Sequence, residues 1–206
     1  MFELFYNIKV RKKEKENQML SFLIYIFVTS ITPGPSNIFI LNASKNYGIK
    51  GSKNFIAGVL TGFLFLAVIS LVTLQLLKNI LPQIEIYLEI FGFVYLIYLA
   101  YKIYKSKNNT TNKTYSSFKS GFFIQILNIK TLLFFISLIG AFILAIANNQ
   151  ITTIFYMILT VLVGWLCLLT WGILGSVFKN FLDKYDKPVS IIMSLLLVYS
   201  AISILM

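Results

Sequence analysis

The chain has 206 residues, of which 58% are hydrophobic and 12% are charged, and its mean hydropathy is +0.81. A soluble domain of this length cannot bury so much apolar surface, so the composition excludes a soluble globular enzyme, a disordered chain and a secreted disulfide scaffold. The sequence has no histidine, which excludes His-based catalysis, haem ligation and most zinc sites. The single cysteine, Cys167, cannot form an internal disulfide.

About 120 apolar residues are enough for about six membrane-spanning helices, at roughly 20 residues each. Long apolar runs predict spans at residues 20–42, 54–77, 83–104, 118–146, 151–177 and 188–206. The polar stretch 106–114 (SKNNTTNKT) divides them into two sets of three, and an odd number makes the second set enter from the opposite side. The sequence therefore predicts an all-α integral membrane protein whose six transmembrane helices form an inverted 3+3 repeat. We expect one transmembrane domain over residues 19–206.

Lysine residues are concentrated in the loops between spans 1 and 2, spans 3 and 4, and spans 5 and 6. They are Lys45, Lys50, Lys53, Lys102, Lys105, Lys107, Lys113, Lys119, Lys179, Lys184 and Lys187. The loop between spans 2 and 3 has only Lys78. By the positive-inside rule, these three lysine-rich loops are cytoplasmic and both termini lie on the other side of the membrane. Contact with that membrane explains the net charge of +11 better than a nucleic-acid partner does.

Residues 1–18 form an N-terminal extension that is basic on the side that should be poor in positive charge. Its basic residues are Lys9, Arg11, Lys12, Lys13 and Lys15, and no signal-peptide cleavage site follows them. Lys15-Glu16 can be encoded AAG-GAG, a ribosome-binding sequence, shortly before Met19. We therefore expect the extension to be a start-site artefact and translation to begin at Met19. N-terminal sequencing of the native protein tests this expectation.

A proline-glycine motif, TPGPSN at residues 32–37, lies in the middle of span 1. Pro33 and Pro35 have no N–H group, so the carbonyls of Thr29 and Ile31, four residues earlier, lose their helical donors. In a bilayer such carbonyls must be buried in protein or line a wet cavity. The motif therefore predicts a functional interruption of the helix; the alternative is a kink that serves packing only.

The glycine within this motif allows backbone geometry that other residues resist. We expect the first helix to break at Pro33-Gly34-Pro35 into two half-helices. The second half-helix would offer the free N–H groups of Ser36 and Asn37 and the positive end of its dipole.

A polar cluster, QILNIKT at residues 125–131, lies in span 4. A lysine at mid-span costs about 2.5–3.5 kcal/mol on insertion scales, so Lys130 is a functional candidate. If Lys130 lies near the cytoplasmic end, its amine could instead extend to the interface. Gln125 and Asn128 either form hydrogen bonds between helices or coordinate a solute.

The spans contain one pattern that favours helix packing, and they lack the residue types that catalysis or metal binding would need. Gly58 and Gly62 form a GxxxG pattern, which favours close helix packing. No acidic residue lies clearly in the core of a span, and no carboxylate pair, metal-ligand cluster or phosphate-binding loop is visible. We therefore expect no catalytic residue, no metal site and no cofactor.

The spaced combination of these residues resembles the lysine-exporter (LysE-type) family of bacterial amino-acid exporters, over residues 19–206. The resemblance is in TPGPSN (32–37), YGIKGSKNFIAGVLTG (47–62), GFVYLIYLAYKIYK (92–105), GFFIQILNIKTLLFF (121–135) and KPVSIIMSLLLVYSAISIL (187–205). Many members have Asn-Pro-Lys in the fourth span, whereas this chain has Asn128-Ile129-Lys130, similar to the cysteine/O-acetylserine exporter branch. Without that proline, a second helix break at residue 129 is not carried over from the family.

The resemblance implies a multi-pass membrane protein that exports amino acids or close metabolites across the cytoplasmic membrane. We expect secondary-active efflux of a small amino acid or derivative, such as cysteine, O-acetylserine, or a threonine- or homoserine-like solute. Proton exchange is the expected coupling. With no carboxylate in a span core, the solute is expected to have a neutral side chain. The sequence leaves homo-oligomer formation open.

A zwitterion needs a site for its carboxylate and a site for its ammonium. We expect Lys130 and the N–H groups of Ser36 and Asn37 to bind the carboxylate. The carbonyls of Thr29 and Ile31, with the amide oxygen of Asn128, would bind the ammonium. The other residues assigned to this substrate site are Pro33, Gly34, Pro35 and Gln125.

Two alternatives come from other functional classes. One is a metal-ion transporter on a related six-helix scaffold, which would need acidic or histidine ligands within the spans. The other is an intramembrane enzyme in which Ser36 and Lys130 form a Ser–Lys dyad.

Overall fold

The computed structural model of the chain describes residues 18–77, 81–105, 117–143, 147 and 149–202, and in these residues all regular structure is helical. Residues 1–17 of the predicted extension, Lys78, the polar stretch 106–114 and the end of predicted span 6 (203–206) lie outside the described residues. The helices are α1 (Gln18–Ile31), α2 (Pro35–Leu77), α3 (Leu81–Lys105), α4 (Phe118–Ile126), α5 (Ile129–Leu138), α6 (Gln150–Val177), α7 (Lys179–Lys184) and α8 (Asp186–Ile202). A π-helical turn, Ile139–Ile143, follows α5 directly.

Helix α2 joins two predicted spans across a kink instead of an open loop. The kink lies at Gly48, whose φ of 68° and ψ of 170° suit a residue without a Cβ atom. The Ser52 hydroxyl donates to the Gly48 carbonyl oxygen at 2.7 Å, which satisfies an acceptor that the kink releases from the helix. Two helical segments therefore meet at a sharp kink at Gly48, within the predicted loop between spans 1 and 2, and the Ser44 and Ser52 hydroxyls on either side of it lie 3.1 Å apart.

Polar side chains cap two of the other helices at their N-termini. The Ser117 hydroxyl accepts from the backbone N–H of Ser120 at 3.1 Å at the start of α4. Asn149 and Thr152 form a reciprocal capping box at the start of α6. These local signals fix where the second half of the chain enters its helices.

Glycine residues bring α2 into backbone contact with α4 and α6. A Cβ atom on Gly58 would collide with the Phe118 carbonyl oxygen of α4, and one on Gly175 of α6 would collide with the Leu41 carbonyl oxygen. A Cβ atom on Gly62 would lie 2.8 Å from Cβ of Gln125. Helix α2 packs most extensively against α6 and α4, and α3 packs mainly against α8. Gly58 and Gly62 thus lie at a close helix contact that positions Gln125.

Two ion pairs of the buried Lys45 connect α2 to α7 and α8 at one end of the bundle. Nζ of Lys45 lies 3.1 Å from a carboxylate oxygen of Asp183 and 3.3 Å from one of Asp186. Both acidic residues belong to the predicted loop between spans 5 and 6. That loop and the kinked segment of α2 therefore lie at the same end of the bundle.

Large apolar side chains remain exposed along one whole face of α6. They are Ile151, Phe155, Ile158, Leu162, Leu166, Leu169, Ile173 and Val177. A continuous apolar face of this length is typical of a helix that contacts lipid. The opposite face of α6, which includes Met157 and Leu168, lies in the main hydrophobic core with α2.

Two helices, Pro35–Thr73 and Gln150–Val177, are long and apolar enough to cross a membrane, and the bent pair α4–α5 counts as a third span if taken together. The chain is therefore an all-helical, multi-pass membrane protein. These two or three candidate spans are fewer than the six predicted from sequence: α2 includes parts of two predicted spans, and neither α3 nor the 17-residue α8 is among the candidates.

Candidate functional site

The predicted break in span 1 lies between α1 and α2. The last backbone hydrogen bond before it joins the Thr32 N–H to the Val28 carbonyl oxygen at 3.0 Å. Helix α2 begins at Pro35, and the Ile38 N–H donates to the Gly34 carbonyl oxygen at 3.1 Å. Two half-helices meet here, as the two prolines predict.

Side chains from distant helices bind two carbonyl oxygens of this first break. The indole N–H of Trp171 on α6 donates to the Ile31 carbonyl oxygen at 3.1 Å. The Ser200 hydroxyl on α8 donates to the Pro33 carbonyl oxygen at 2.7 Å. The Trp171 indole therefore occupies one acceptor position of the Ile31 carbonyl oxygen, which the sequence assigned to substrate binding.

The Asn37 side chain connects the two half-helices. Its Nδ2 atom donates to the carbonyl oxygens of Ser30 and Thr32, both at 3.0 Å. Asn37 lies in the first turn of α2 and both acceptors lie at the end of α1, so one buried amide bridges the break. Its side chain acts as a structural bridge, which the sequence did not predict.

The Lys130 side chain reaches the first break from α5. Its Nζ atom donates to the Thr32 carbonyl oxygen at 2.8 Å, so the amine does not extend away to a helix end. A Cβ atom on Gly34 would lie 2.9 Å from Cδ of Lys130 and 3.4 Å from Nζ. In the described chain the positive φ is at Gly48 and not at Gly34. The predicted backbone role of Gly34 is therefore wrong: Gly34 leaves room for the lysine.

A second break separates α4 from α5, although no proline is present. The two helices meet at 54°, with Leu127 and Asn128 between them. Asn128 has φ −79° and ψ 94°, and its N–H donates to the Gln125 carbonyl oxygen at 3.1 Å in a tight turn. Asparagine competes with helix geometry through its side-chain hydrogen bonds, which here go to the first break.

A buried polar network connects the two breaks. Nδ2 of Asn128 donates to the Ser36 hydroxyl at 2.8 Å, and that hydroxyl donates to Oε1 of Gln125. Nε2 of Gln125 in turn donates to the Thr131 hydroxyl at 3.0 Å. All four side chains are buried, so their mutual hydrogen bonds offset the loss of water.

Two buried acceptors at this site have no hydrogen-bond partner in the part of the chain that the structure describes. They are Oδ1 of Asn128 and Oγ of Ser30. Both residues line the same cavity. A buried polar atom without a partner costs about 1–3 kcal/mol, so these two atoms are suited to bind a ligand donor.

Two cavities lie at the breaks. The inner cavity, of about 30 Å³, is lined by Thr29, Ser30, Gly34, Ser36, Asn37, Phe63, Gln125, Asn128, Lys130, Thr131, Phe134, Gly164 and Leu168. The second cavity, of about 280 Å³, is lined by Tyr25, Val28, Thr29, Thr32, Lys130, Leu133, Phe134, Ser137, Tyr199 and Ser200. Lys130 lines both of them.

Among the described residues, the charged side chain that lines the two cavities is the positive Lys130. Among the residues that the structure describes, both ion pairs belong to Lys45, and no acidic side chain lines either cavity. Across the same ranges, no three His, Cys, Asp or Glu side chains are grouped so that they could hold a metal ion. The arrangement can therefore attract an anionic group to Lys130, while the unpartnered oxygens can accept hydrogen bonds.

The structure brings most of the predicted site residues together around the inner cavity. Sequence reasoning missed Ser30, Thr131, Trp171 and Ser200 as parts of this site. The indole N–H of a tryptophan within a membrane helix needs an acceptor, so Trp171 offered a usable signal. Ser200 offered none, because a serine in a span commonly bonds to its own helix.

Comparisons with known proteins show what this chain is similar to. The LysE type translocator family matches residues 27–206. The chain is 28% identical, over 186 residues, to the cysteine/O-acetylserine efflux protein of Escherichia coli (strain K12), which covers 89% of this chain and 95% of the relative. Proteins of the same description from Shigella sonnei (strain Ss046) and Shigella flexneri match with the same identity and coverage. No solved structure matches the chain.

Proposed function

We propose that this chain exports a small amino acid or amino-acid derivative across the bacterial cytoplasmic membrane. The chain belongs to the LysE type translocator family and is a transporter, not an enzyme. One observation carries the proposal: a partly buried ammonium and an unpartnered amide oxygen line one cavity at the breaks between α1 and α2 and between α4 and α5. Broken helices near the middle of a transporter commonly form its substrate site.

The carboxylate of the solute binds at Lys130. The Lys130 amine now donates to a neutral carbonyl oxygen, at Thr32, and a carboxylate is a stronger partner for it because the hydrogen bond is then between two charges. The N-terminus of α2, at Ser36 and Asn37, lines the same cavity and adds a positive dipole end. Pro33, Gly34 and Pro35 set the position of that N-terminus.

The ammonium of the solute binds at Oδ1 of Asn128 and Oγ of Ser30. Both atoms are buried acceptors without a partner in the described ranges, and both belong to the inner cavity. Gln125 holds Ser36, which in turn orients the Asn128 amide through the hydrogen bond from its Nδ2 atom. Thr29 lines the same cavity.

The side chain of the solute is small and neutral. The inner cavity adds Phe63, Phe134 and Leu168 to its polar lining, and no acidic side chain of the described residues lines it. A lysine or arginine side chain would therefore lack a counter-charge. The efflux proteins named for cysteine and O-acetylserine support this size and charge.

In the membrane, we place the chain as one transporter domain, residues 19–206, with six spans in an inverted 3+3 repeat. The lysine-rich loops between spans 1 and 2, spans 3 and 4, and spans 5 and 6 face the cytoplasm, and both termini lie outside. The two breaks support this arrangement, since they lie in the first span of each half.

Proton exchange drives the export. A neutral zwitterion gains nothing from the membrane potential unless another ion moves with it. The sequence has no nucleotide-binding motif, so direct use of ATP is not proposed. A protonophore should therefore abolish accumulation of the solute in inverted vesicles.

The proposal is tested by reconstituting the protein in proteoliposomes and measuring efflux of labelled O-acetylserine, cysteine or threonine. We expect Lys130→Ala and Asn128→Ala to reduce the initial rate by about tenfold or more, because each removes a hydrogen bond to a charged group of the solute. Unchanged rates in both variants would contradict the assigned site.

Two exposed residues provide matched controls for this experiment. Lys119 lies on α4 and Asn54 on α2, and both side chains are exposed. Lys119→Ala removes the same charge as Lys130→Ala, and Asn54→Ala removes the same amide as Asn128→Ala. Both control variants should transport like the unmodified protein.

A further inference from the structure

The inner cavity and the second cavity meet at the Lys130 side chain. Three residues, Thr29, Lys130 and Phe134, line both cavities. Lys130 is the one among them with a long, flexible chain of methylene groups. Of the three side chains, it can move out of the way at the lowest energetic cost.

The Lys130 side chain extends from one cavity to the other. Its Cδ atom lies beside Gly34, a residue of the inner cavity, where an added Cβ atom would be 2.9 Å away. Its Nζ atom bonds to the carbonyl oxygen of Thr32, a residue of the second cavity. The stem and the amine therefore lie between the two spaces, held by one hydrogen bond.

We propose that the second cavity continues the solute path and that the Lys130 side chain is the movable partition between the two cavities. When a solute carboxylate enters the inner cavity, it replaces the Thr32 carbonyl as the partner of the amine. The amine then leaves Thr32, and the solute passes into the second cavity. This inference rests on the proposed function, because it assumes that a small zwitterion occupies the inner cavity.

The lining of the second cavity suits a polar solute. It includes the side chains of Tyr25, Ser137 and Tyr199, and the Ser137 and Tyr199 side chains are exposed at the protein surface. Val28 and Leu133 add apolar contact. A groove filled by lipid chains would have the same shape, and a charged probe distinguishes the two.

The single cysteine makes the test direct. Cys167 is buried and lines neither cavity, so Cys167→Ala gives a background without cysteine. In that background, Ser30→Cys reports on the inner cavity and Ser137→Cys on the second cavity. Each variant is treated, in vesicles of both orientations, with a membrane-impermeant anionic thiosulfonate, and the rate of modification is measured.

We expect Ser137→Cys to react from one side of the membrane and Ser30→Cys to be protected from that side. Adding Lys130→Ala should increase the modification rate of Ser30→Cys from that side by about tenfold or more, because the hydrogen bond that holds the partition is lost. Lys119→Ala, which removes a lysine of the neighbouring helix, should leave the rate unchanged.

Gly34→Ala provides a second route to the same state if Lys130→Ala does not fold. The added methyl group would displace the Lys130 stem, so it should also expose Ser30→Cys. Gly140→Ala is its control, since a Cβ atom there meets nothing within 4 Å.

Three results would overturn the proposal. They are equal reactivity of Ser30→Cys with and without Lys130, protection of Ser30→Cys in both partition variants, and modification of Ser137→Cys by an apolar maleimide but not by the anionic reagent. The last result would assign the second cavity to lipid. Because labelling requires no transport, its failure is distinguishable from failure of the efflux experiment.

Discussion

The amine of Lys130 lies 2.8 Å from the carbonyl oxygen of Thr32, so the two broken helices of the chain touch at a hydrogen bond between residues 98 positions apart. Each break exposes backbone groups that a membrane would otherwise force into a helix. The lysine satisfies one of them with a positive charge that no described acidic side chain pairs. A partly buried charge in this position is available to an anionic solute.

Replacing Lys130 with methionine keeps most of the side-chain volume and removes the charge. We expect Lys130→Met to lower the transport rate by about tenfold to a hundredfold, since hydrogen bonds to charged groups contribute roughly 1.5–3 kcal/mol. The initial efflux rate in proteoliposomes measures this effect. Lys119→Met is the control, and equal rates for the two variants would contradict the role given to Lys130.

The hydrogen bonds of Asn37 across the first break should stabilise the folded protein. Asn37→Ala removes two hydrogen bonds across the first break and leaves two buried carbonyl oxygens with fewer donors. We expect a loss of about 1–3 kcal/mol, seen as a lower midpoint of thermal unfolding in detergent. The exposed Asn54→Ala on the same helix should shift the midpoint little, and a matching shift would argue against the bridge.

Close backbone contact between α2 and α4 depends on Gly58. Gly58→Ala places a methyl group against the Phe118 carbonyl oxygen, so the helices must separate. We expect destabilisation of about 1–3 kcal/mol, the usual range for overpacking. Gly140→Ala, which enters open space, should be close to neutral in the same unfolding assay. If both variants unfold alike, the contact does not limit packing.

Replacing the two tryptophans in turn distinguishes a contact that affects transport from one that affects packing alone. Trp171 donates to the Ile31 carbonyl oxygen at 3.1 Å, and Trp165 donates to the Leu60 carbonyl oxygen at 3.0 Å. Trp171→Phe leaves the Ile31 carbonyl oxygen without its donor, because Pro35 has no N–H, and should cost about 1–3 kcal/mol. Trp165→Phe should cost less, because Leu60 lies within helix α2 and its carbonyl keeps the helical donor. Only Trp171→Phe should also reduce transport, because Ile31 adjoins the site. Equal transport in both variants would show that the Ile31 contact is structural alone.

The first break was predictable because its cause is local. Pro33 and Pro35 remove two N–H groups whatever surrounds them, so the sequence alone locates the end of α1 and the start of α2. The grouping of Gln125, Asn128 and Lys130 was also visible, because polar residues are rare in apolar spans.

Long-range contacts explain what the sequence could not predict. The second break has no proline and depends on Asn128 bonding to Ser36, which lies 92 positions away. The occupant of the Ile31 carbonyl is Trp171, 140 positions away. The kink of α2 depends on a positive φ at Gly48, which a glycine permits but does not require.

The most direct test of the assigned site is the binding of three related ligands to the purified protein, measured as the ligand-induced rise in thermal midpoint. O-acetylserine has both charged groups, 3-acetoxypropionate has only the carboxylate, and O-acetylethanolamine has only the ammonium. We predict stabilisation by O-acetylserine alone, and its loss in Lys130→Ala and in Asn128→Ala. Equal stabilisation of the unmodified protein and both variants, or by all three ligands, would contradict a site in which Lys130 and Asn128 hold the two ends of a zwitterion.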